Sequence, residues 1–256
     1  VGDRLETHRI ETRGGPVQVI TLPWLTRSTL LTRPETEGLS LEAVNELLID
    51  RLLVALEAEI RRLDPEVPTV LLAHLMLDRA RLGAERFLAV GKGFNVPLSV
   101  LIRPQFDYVA LGHVHKHQNL NPGNDPPVVY PGSIERVDFS EEKEEKGFVL
   151  VNLVRKQTTW EFCPLKVRPF RTIRADVSKA DDPLAALLKA IAKVDIKDAV
   201  VRLLYQLRSE QLEAIDTAQL HRALGEAHTY TIQPELVSQL ARPRVPELEA
   251  GSAIDP

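Results

Sequence analysis

The chain has 256 residues, 44% of them hydrophobic, and a formal net charge of −4, enough for one large α/β domain or two modest ones with a sizeable core. It contains no apolar run of about eighteen residues and no basic-then-apolar leader at its start, so it reads as a cytoplasmic protein without a membrane span. The negative balance excludes a global attraction for nucleic acid and leaves only a local basic surface to provide one. The single cysteine, Cys163, excludes an internal disulfide, fits a reducing compartment and reads as a packed small hydrophobe.

In chain order, PVQVITLPW (Pro16 to Trp24) predicts a strand ending at a proline turn, followed by a loop through RSTLLTRPETEG. Ser40 caps a predicted helix whose Leu41, Val44, Leu48, Leu52, Leu56, Ile60 and Leu63 form one apolar stripe. Pro65 and Pro68 end it, and TVLLAHLML follows as a strand covered on both faces, carrying His74. A loop and short helix lie in AERFLAVGKGFNVPLSVLIRPQ, and FDYVALG is a second buried strand that runs into Gly112, His113, Val114 and His115. PPVVYPGSIERVDFSEEKEEKGFVLVNLV reads as a strand, a turn, a solvated acidic loop from Glu141 to Lys146 and another strand. Alternating strands and helices predict an α/β layered fold. From Pro169 onward a shorter β-α-β-α-β pattern marks a second domain over residues 169–244, with 245–256 as a linker and 1–168 as the first domain. Both ends are expected to continue into a longer protein.

Ligands of open α/β sheets bind beyond the carboxyl ends of the strands, where His74 and His113 fall. In an extended segment His113 and His115 point the same way, and Gly112 allows a sharp turn. Neutral imidazole binds divalent transition metals, so three histidines at one strand edge suggest a metal centre. An isolated H-x-H is more simply a polar loop; two strands ending in histidine make the pattern rarer. His117 is expected at the surface, and His8, His221 and His228 show no partner pattern.

LLAHLML, DYVALGHVHKHQ and VVYPGSIERVDFSEEKEEKGF together resemble the later part of the calcineurin-like metallophosphoesterase domain, and more closely the SbcD subunits of bacterial SbcCD nucleases. The resemblance runs from PVQVITLPWLTRS into the small second domain. It implies the C-terminal half of a layered metallophosphoesterase sandwich followed by a small α+β capping domain that helps direct DNA into the site. It also implies a two-manganese centre, with magnesium as an alternative, in which His74 and His113 bind one ion and His115 the other. Activity would be double-strand exonuclease and single-strand endonuclease action in DNA repair, recombination and replication. The implied partners are DNA, an SbcC-type ATPase and, for the complete protein, a second copy.

The family's D-x-H, G-D-x-x-D and G-N-H motifs should precede PVQVITLPW, and none does. GDRLE at Gly2 and GND at Gly123 are imitations in the wrong context. The bridging carboxylate, an asparagine and the catalytic histidine are therefore missing, and no catalytic residue is identifiable. Three imidazoles without an anionic bridge hold a manganese pair poorly, so this chain alone is expected to have little or no nuclease activity.

Ser133 in the Pro-Gly turn is a candidate phosphate contact, with simple turn stabilisation as the alternative. Arg155, Lys156, Lys166, Arg168, Arg171 and Arg174, interleaved with Trp160, Phe162 and Phe170, form a candidate DNA-backbone surface; an ordinary exposed hairpin is the plainer reading. Two other functions fit the residues: a metallophosphoesterase acting on a small phosphodiester or phosphoprotein, and a non-catalytic DNA-binding subunit.

Overall fold

Glu6–Thr12 (β1) and Gly15–Leu22 (β2) pair as an antiparallel hairpin that leads into the main sheet. The computed structural model describes residues 4–25, 36–83 and 95–237. The chain divides into two compact units between Arg168 and Pro169.

In the first unit, a helix Leu41–Ile60 (α1) follows, capped by Ser40, whose hydroxyl accepts from the Ala43 N–H at 3.2 Å. Val44, Leu48, Leu52, Leu56 and Ile60 are its buried stripe. Leu41 is 66% exposed and Leu63 lies past the helix end, so the stripe is shorter than the sequence suggests. Thr69–His74 (β3), Met76–Leu77 (β4), Asn95–Val96 (β5), Tyr108–Gly112 (β6), Gln118–Asn119 (β7) and Val128–Tyr130 (β8) come next. The six-stranded sheet runs β1-β2-β3-β6-β8-β7. Its inner strands β2, β3, β6 and β8 are parallel, and β7 is antiparallel to β8. One face, with Ile20, Leu22, Leu71, Ala73, Val109, Leu111, Val128 and Tyr130, shares its core with the α1 stripe. Along β3 burial alternates, leaving Val70, Leu72 and His74 half-buried, so the strand is more open on its second face than its apolar run implies. Gly147–Asn152 (β9) and Thr159–Pro164 (β10) form a separate antiparallel hairpin.

The parallel register fixes where the inner strands end. It pairs Leu22 with Ala73 and His74 with Gly112, so β2, β3 and β6 finish at one edge. Among the expected elements, most of the loop RSTLLTRPETEG and residues 84–94 of the segment read as a loop and short helix lie outside those described. Residues 98–100 form a single 3-10 turn.

The second unit contains Phe170–Asp176 (β11), Pro183–Ile191 (α2), Val200–Leu207 (β12), Thr217–Ala223 (α3) and Thr229–Leu236 (β13). All three strands are parallel in the order β11-β12-β13, so the unit alternates strand and helix instead of segregating them as an α+β domain would. Asp182 and Asp216 cap the two helices, and Ile173, Leu187, Ile191, Val201, Leu203, Leu220 and Leu224 fill the core. The predicted linker 245–256 and the end of the second domain lie outside the described residues. No described helix is long and apolar enough to cross a membrane.

Candidate metal centre

Three neighbouring strands carry side chains to one sheet edge: Trp24 just beyond β2, His74 at the end of β3 and His113 just beyond β6. The His74 and His113 rings meet edge to face, with centroids 5.4 Å apart and planes at 72°. Trp24 packs on His113 at 4.5 Å and on His74 at 5.7 Å. Burial lowers the His74 pKa from its ordinary 6.5, which favours the neutral, metal-binding form.

Gly112 does not supply the turn that the sequence suggests. A Cβ there would stand 2.8 Å from His74 Nδ1, so the glycine leaves room for the neighbouring imidazole. The left-handed backbone falls instead on His113, at φ 100°, where a side chain is strained. Such strain persists only where the surroundings impose it, and it clusters at functional sites.

The positive φ at His113 interrupts the extended chain in which His113 and His115 would point the same way. His115 Nδ1 lies 2.9 Å from Glu141 Oε1. Among the described residues, no group of three His, Cys, Asp or Glu side chains is arranged to hold a metal ion. His74 and His113 do come together.

The segment after the histidines is equally ordered. Glu141 and Lys146 are 0% and 2% exposed, which corrects the reading of 141–146 as a solvated loop at its two ends, while Lys143 and Glu145 between them are exposed. Lys146 Nζ donates to Glu141, to Glu144 and to the His115 carbonyl at 2.9, 2.9 and 3.0 Å. Burial alone would raise the Glu141 pKa; hydrogen bonds from Lys146, His115 and the Val137 N–H outweigh it and hold the carboxyl below its ordinary range. His117 is half-buried, not at the surface. Its Nδ1 donates to the Tyr130 carbonyl at 2.9 Å, and its ring stacks on Phe162 at 4.1 Å. Tyr130 is fully buried; its hydroxyl donates to the Leu75 carbonyl at 2.8 Å and accepts from the Leu77 N–H at 3.2 Å, tying β8 to the chain just after His74.

Of the candidate DNA contacts, Ser133 donates its hydroxyl to the Glu135 carbonyl at 2.8 Å and its N–H to the His115 carbonyl at 3.0 Å, as a turn-stabilising serine does. Arg155 pairs with buried Asp107 at 2.8 Å and donates to the Pro65 carbonyl, a structural role. Lys156 and Lys166 are exposed, and the Arg168 carbonyl accepts from Arg136 at 3.1 Å. Arg171 belongs to the second unit and donates to the Phe170 carbonyl at 3.1 Å. Trp160 and Phe162 turn toward His117. Sequence patterns missed Trp24, Tyr130, Glu141 and Lys146, since none belongs to a short motif.

Neutral imidazoles side by side at a strand edge suit a divalent transition metal. His74 and His113 fit as two donors to one ion, and the carboxylate behind His115 is the kind of outer partner that orients a metal-binding histidine.

The mixed α/β architecture, with histidines beyond parallel strands, is compatible with a metallophosphoesterase-like fold. No family model matches the chain. It is 29% identical over 165 residues to the SbcD subunit of the SbcCD nuclease of Staphylococcus epidermidis, covering 62% of this chain and 41% of that protein. It is 30% identical over 210 residues to the corresponding SbcD subunit of Rhodobacter capsulatus, covering 77% and 48%. A 62-residue stretch is 37% identical to the uncharacterized metallophosphoesterase YhaO of Bacillus subtilis, covering 24% and 15%. In sequence the chain is similar to SbcD metallophosphoesterases, and it spans less than half the length of the SbcD proteins it matches.

Proposed function

We propose that the chain carries the imidazole side of the metal centre of an SbcD-like, metal-dependent DNA phosphodiesterase. The observation behind this reading is the juxtaposition of His74 and His113 at adjacent parallel strand ends, 5.4 Å between ring centroids, with strained backbone at His113. In this reading His74 and His113 hold one ion and His115 faces a second, manganese or magnesium. Bound divalent ions would lower the pKa of a water and neutralise phosphodiester charge. The chain's own residues would keep the imidazoles neutral and aligned, with Trp24 packed against both. The second unit would serve as the capping domain, and Lys156 and Lys166 would offer cations to a DNA backbone. DNA, an SbcC-type ATPase and a second copy would be the partners, in cytoplasmic DNA repair, recombination and replication.

A bridging carboxylate and a catalytic histidine are not identifiable in this chain, so it is expected to bind metal without degrading DNA. The test pairs calorimetric Mn2+ titration with a duplex-DNA degradation assay. Saturable Mn2+ binding, abolished in a His74→Ala/His113→Ala double variant, with no degradation, supports the reading. Absence of binding overturns the metal centre, and His113-dependent degradation overturns the expected inactivity. The match to YhaO, a metallophosphoesterase not named as an SbcD subunit, leaves one second reading, a metallophosphoesterase acting on a small phosphodiester or phosphoprotein. Hydrolysis of bis-nitrophenyl phosphate without action on DNA by a chain that also carries the three missing motifs would select it.

A further inference from the structure

Residues 136–146 fold around one buried carboxylate. Glu141 ends a short 3-10 turn, Phe139–Glu141, capped by Asp138. Its Oε2 accepts from Lys146 Nζ at 2.9 Å and from the Val137 N–H at 3.2 Å. Its Oε1 faces His115 Nδ1 at 2.9 Å. Lys146 is held in turn by Glu144 and the His115 carbonyl, and Arg136 donates to the carbonyls of Glu141 and Glu144 at 3.1 and 2.8 Å. Burying an ion pair this completely is costly, and its retention calls for a role in specificity of arrangement.

The geometry assigns that role. The carboxylate can only accept, so the nitrogen facing it must carry the proton, and a neutral imidazole then has its lone pair on Nε2. We propose that Glu141, fixed by Lys146, is the positioning residue that sets the tautomer and ring orientation of His115, so that Nε2 is the nitrogen presented to a divalent metal. This deepens the metal-centre reading above and rests on it. Nothing in the spacing of the histidines indicates it, because Glu141 is 26 residues away in sequence.

Substitution makes the assignment testable. In Glu141→Gln, the Lys146 ammonium and the Val137 N–H both require an acceptor, so the amide oxygen takes the Oε2 position and the NH2 turns to His115. Nδ1 must then accept, and the proton moves to Nε2, the position a metal needs. Long-range 15N NMR at a pH where the ring is neutral should show the Nδ1–H tautomer of His115 in the unsubstituted chain and in a Glu145→Gln control, and the Nε2–H tautomer in Glu141→Gln. Paramagnetic broadening of His115 ring signals by Mn2+ should require about 10- to 100-fold more metal in Glu141→Gln. An Nε2–H tautomer in the unsubstituted chain overturns the proposal even if the variant does not fold. If the tautomers are as expected and Mn2+ broadens His74 and His113 but not His115, the proposal is also overturned, and Glu141 is a structural ion-pair partner only. Failure of Mn2+ to broaden any of the three sinks the metal-centre reading itself.

Discussion

His74 and Gly112 face each other across the parallel β3–β6 ladder, and the imidazole of one occupies the space that a side chain on the other would need. A methyl group at 112 would stand 2.8 Å from His74 Nδ1. Gly112→Ala is therefore expected to push the His74 ring away from His113, lowering stability by about 1–3 kcal/mol as overpacking does. Denaturant unfolding beside Mn2+ titration checks it. An unchanged midpoint with unchanged metal affinity would mean that the ring moves aside freely.

Trp24 lies 4.5 Å from the His113 ring, whereas Trp160, the other tryptophan, sits beside His117. Mn2+ held by His74 and His113 should quench Trp24 emission. Saturable quenching is expected in the unsubstituted chain and in Trp160→Phe, and it should vanish in Trp24→Phe. Quenching that survives in Trp24→Phe would place the metal elsewhere.

Arg155 and Lys166 are equal members of the basic run in sequence, yet they should behave differently. Arg155 compensates Asp107, which is 5% exposed, while Lys166 is exposed. Arg155→Ala should lower stability by about 1–3 kcal/mol, the penalty of leaving a buried acceptor short of its donor. Lys166→Glu should leave the unfolding midpoint unchanged and weaken salt-dependent DNA affinity. Thermal melts and DNA titrations at two salt concentrations separate the two roles.

Asp216 supplies a pH dependence. The hydrogen bond from Gln219, with the N–H groups of Ala218 and Gln219, holds its carboxyl below the ordinary 3.8 against a smaller push from desolvation. Protonation is harder in the folded chain than in the unfolded one. The stabilisation is fully present above the unfolded value and is lost as pH falls through the lower folded value. Asp216→Asn, which keeps a capping oxygen, should flatten the dependence of the melting midpoint between about pH 5 and about pH 2. An equally steep dependence in the variant would assign the acid sensitivity to other carboxylates.

Much of the fold was legible in the chain because its signals are local. The α1 stripe, the Ser40 cap and the β-α-β-α-β order of the second unit each follow from periodicity or from a capping residue within a few positions. The edge strand β1 was missed, since ETHRIET is largely exposed and carries no apolar alternation to read.

The site divides along the same line. The sequence by itself determined that histidines end two buried strands, for His74 and His113 follow apolar runs whose direction is unambiguous. Only the tertiary structure decided which side chains meet: the β3–β6 register sets His74 against Gly112 and beside His113, and His115 lies against Glu141. Glu141 and Lys146 show the limit most clearly. Both stand in a charged run that reads as solvated, and they are buried because each other's charge, backbone groups and an imidazole satisfy them, a compensation that depends on residues far apart in the chain.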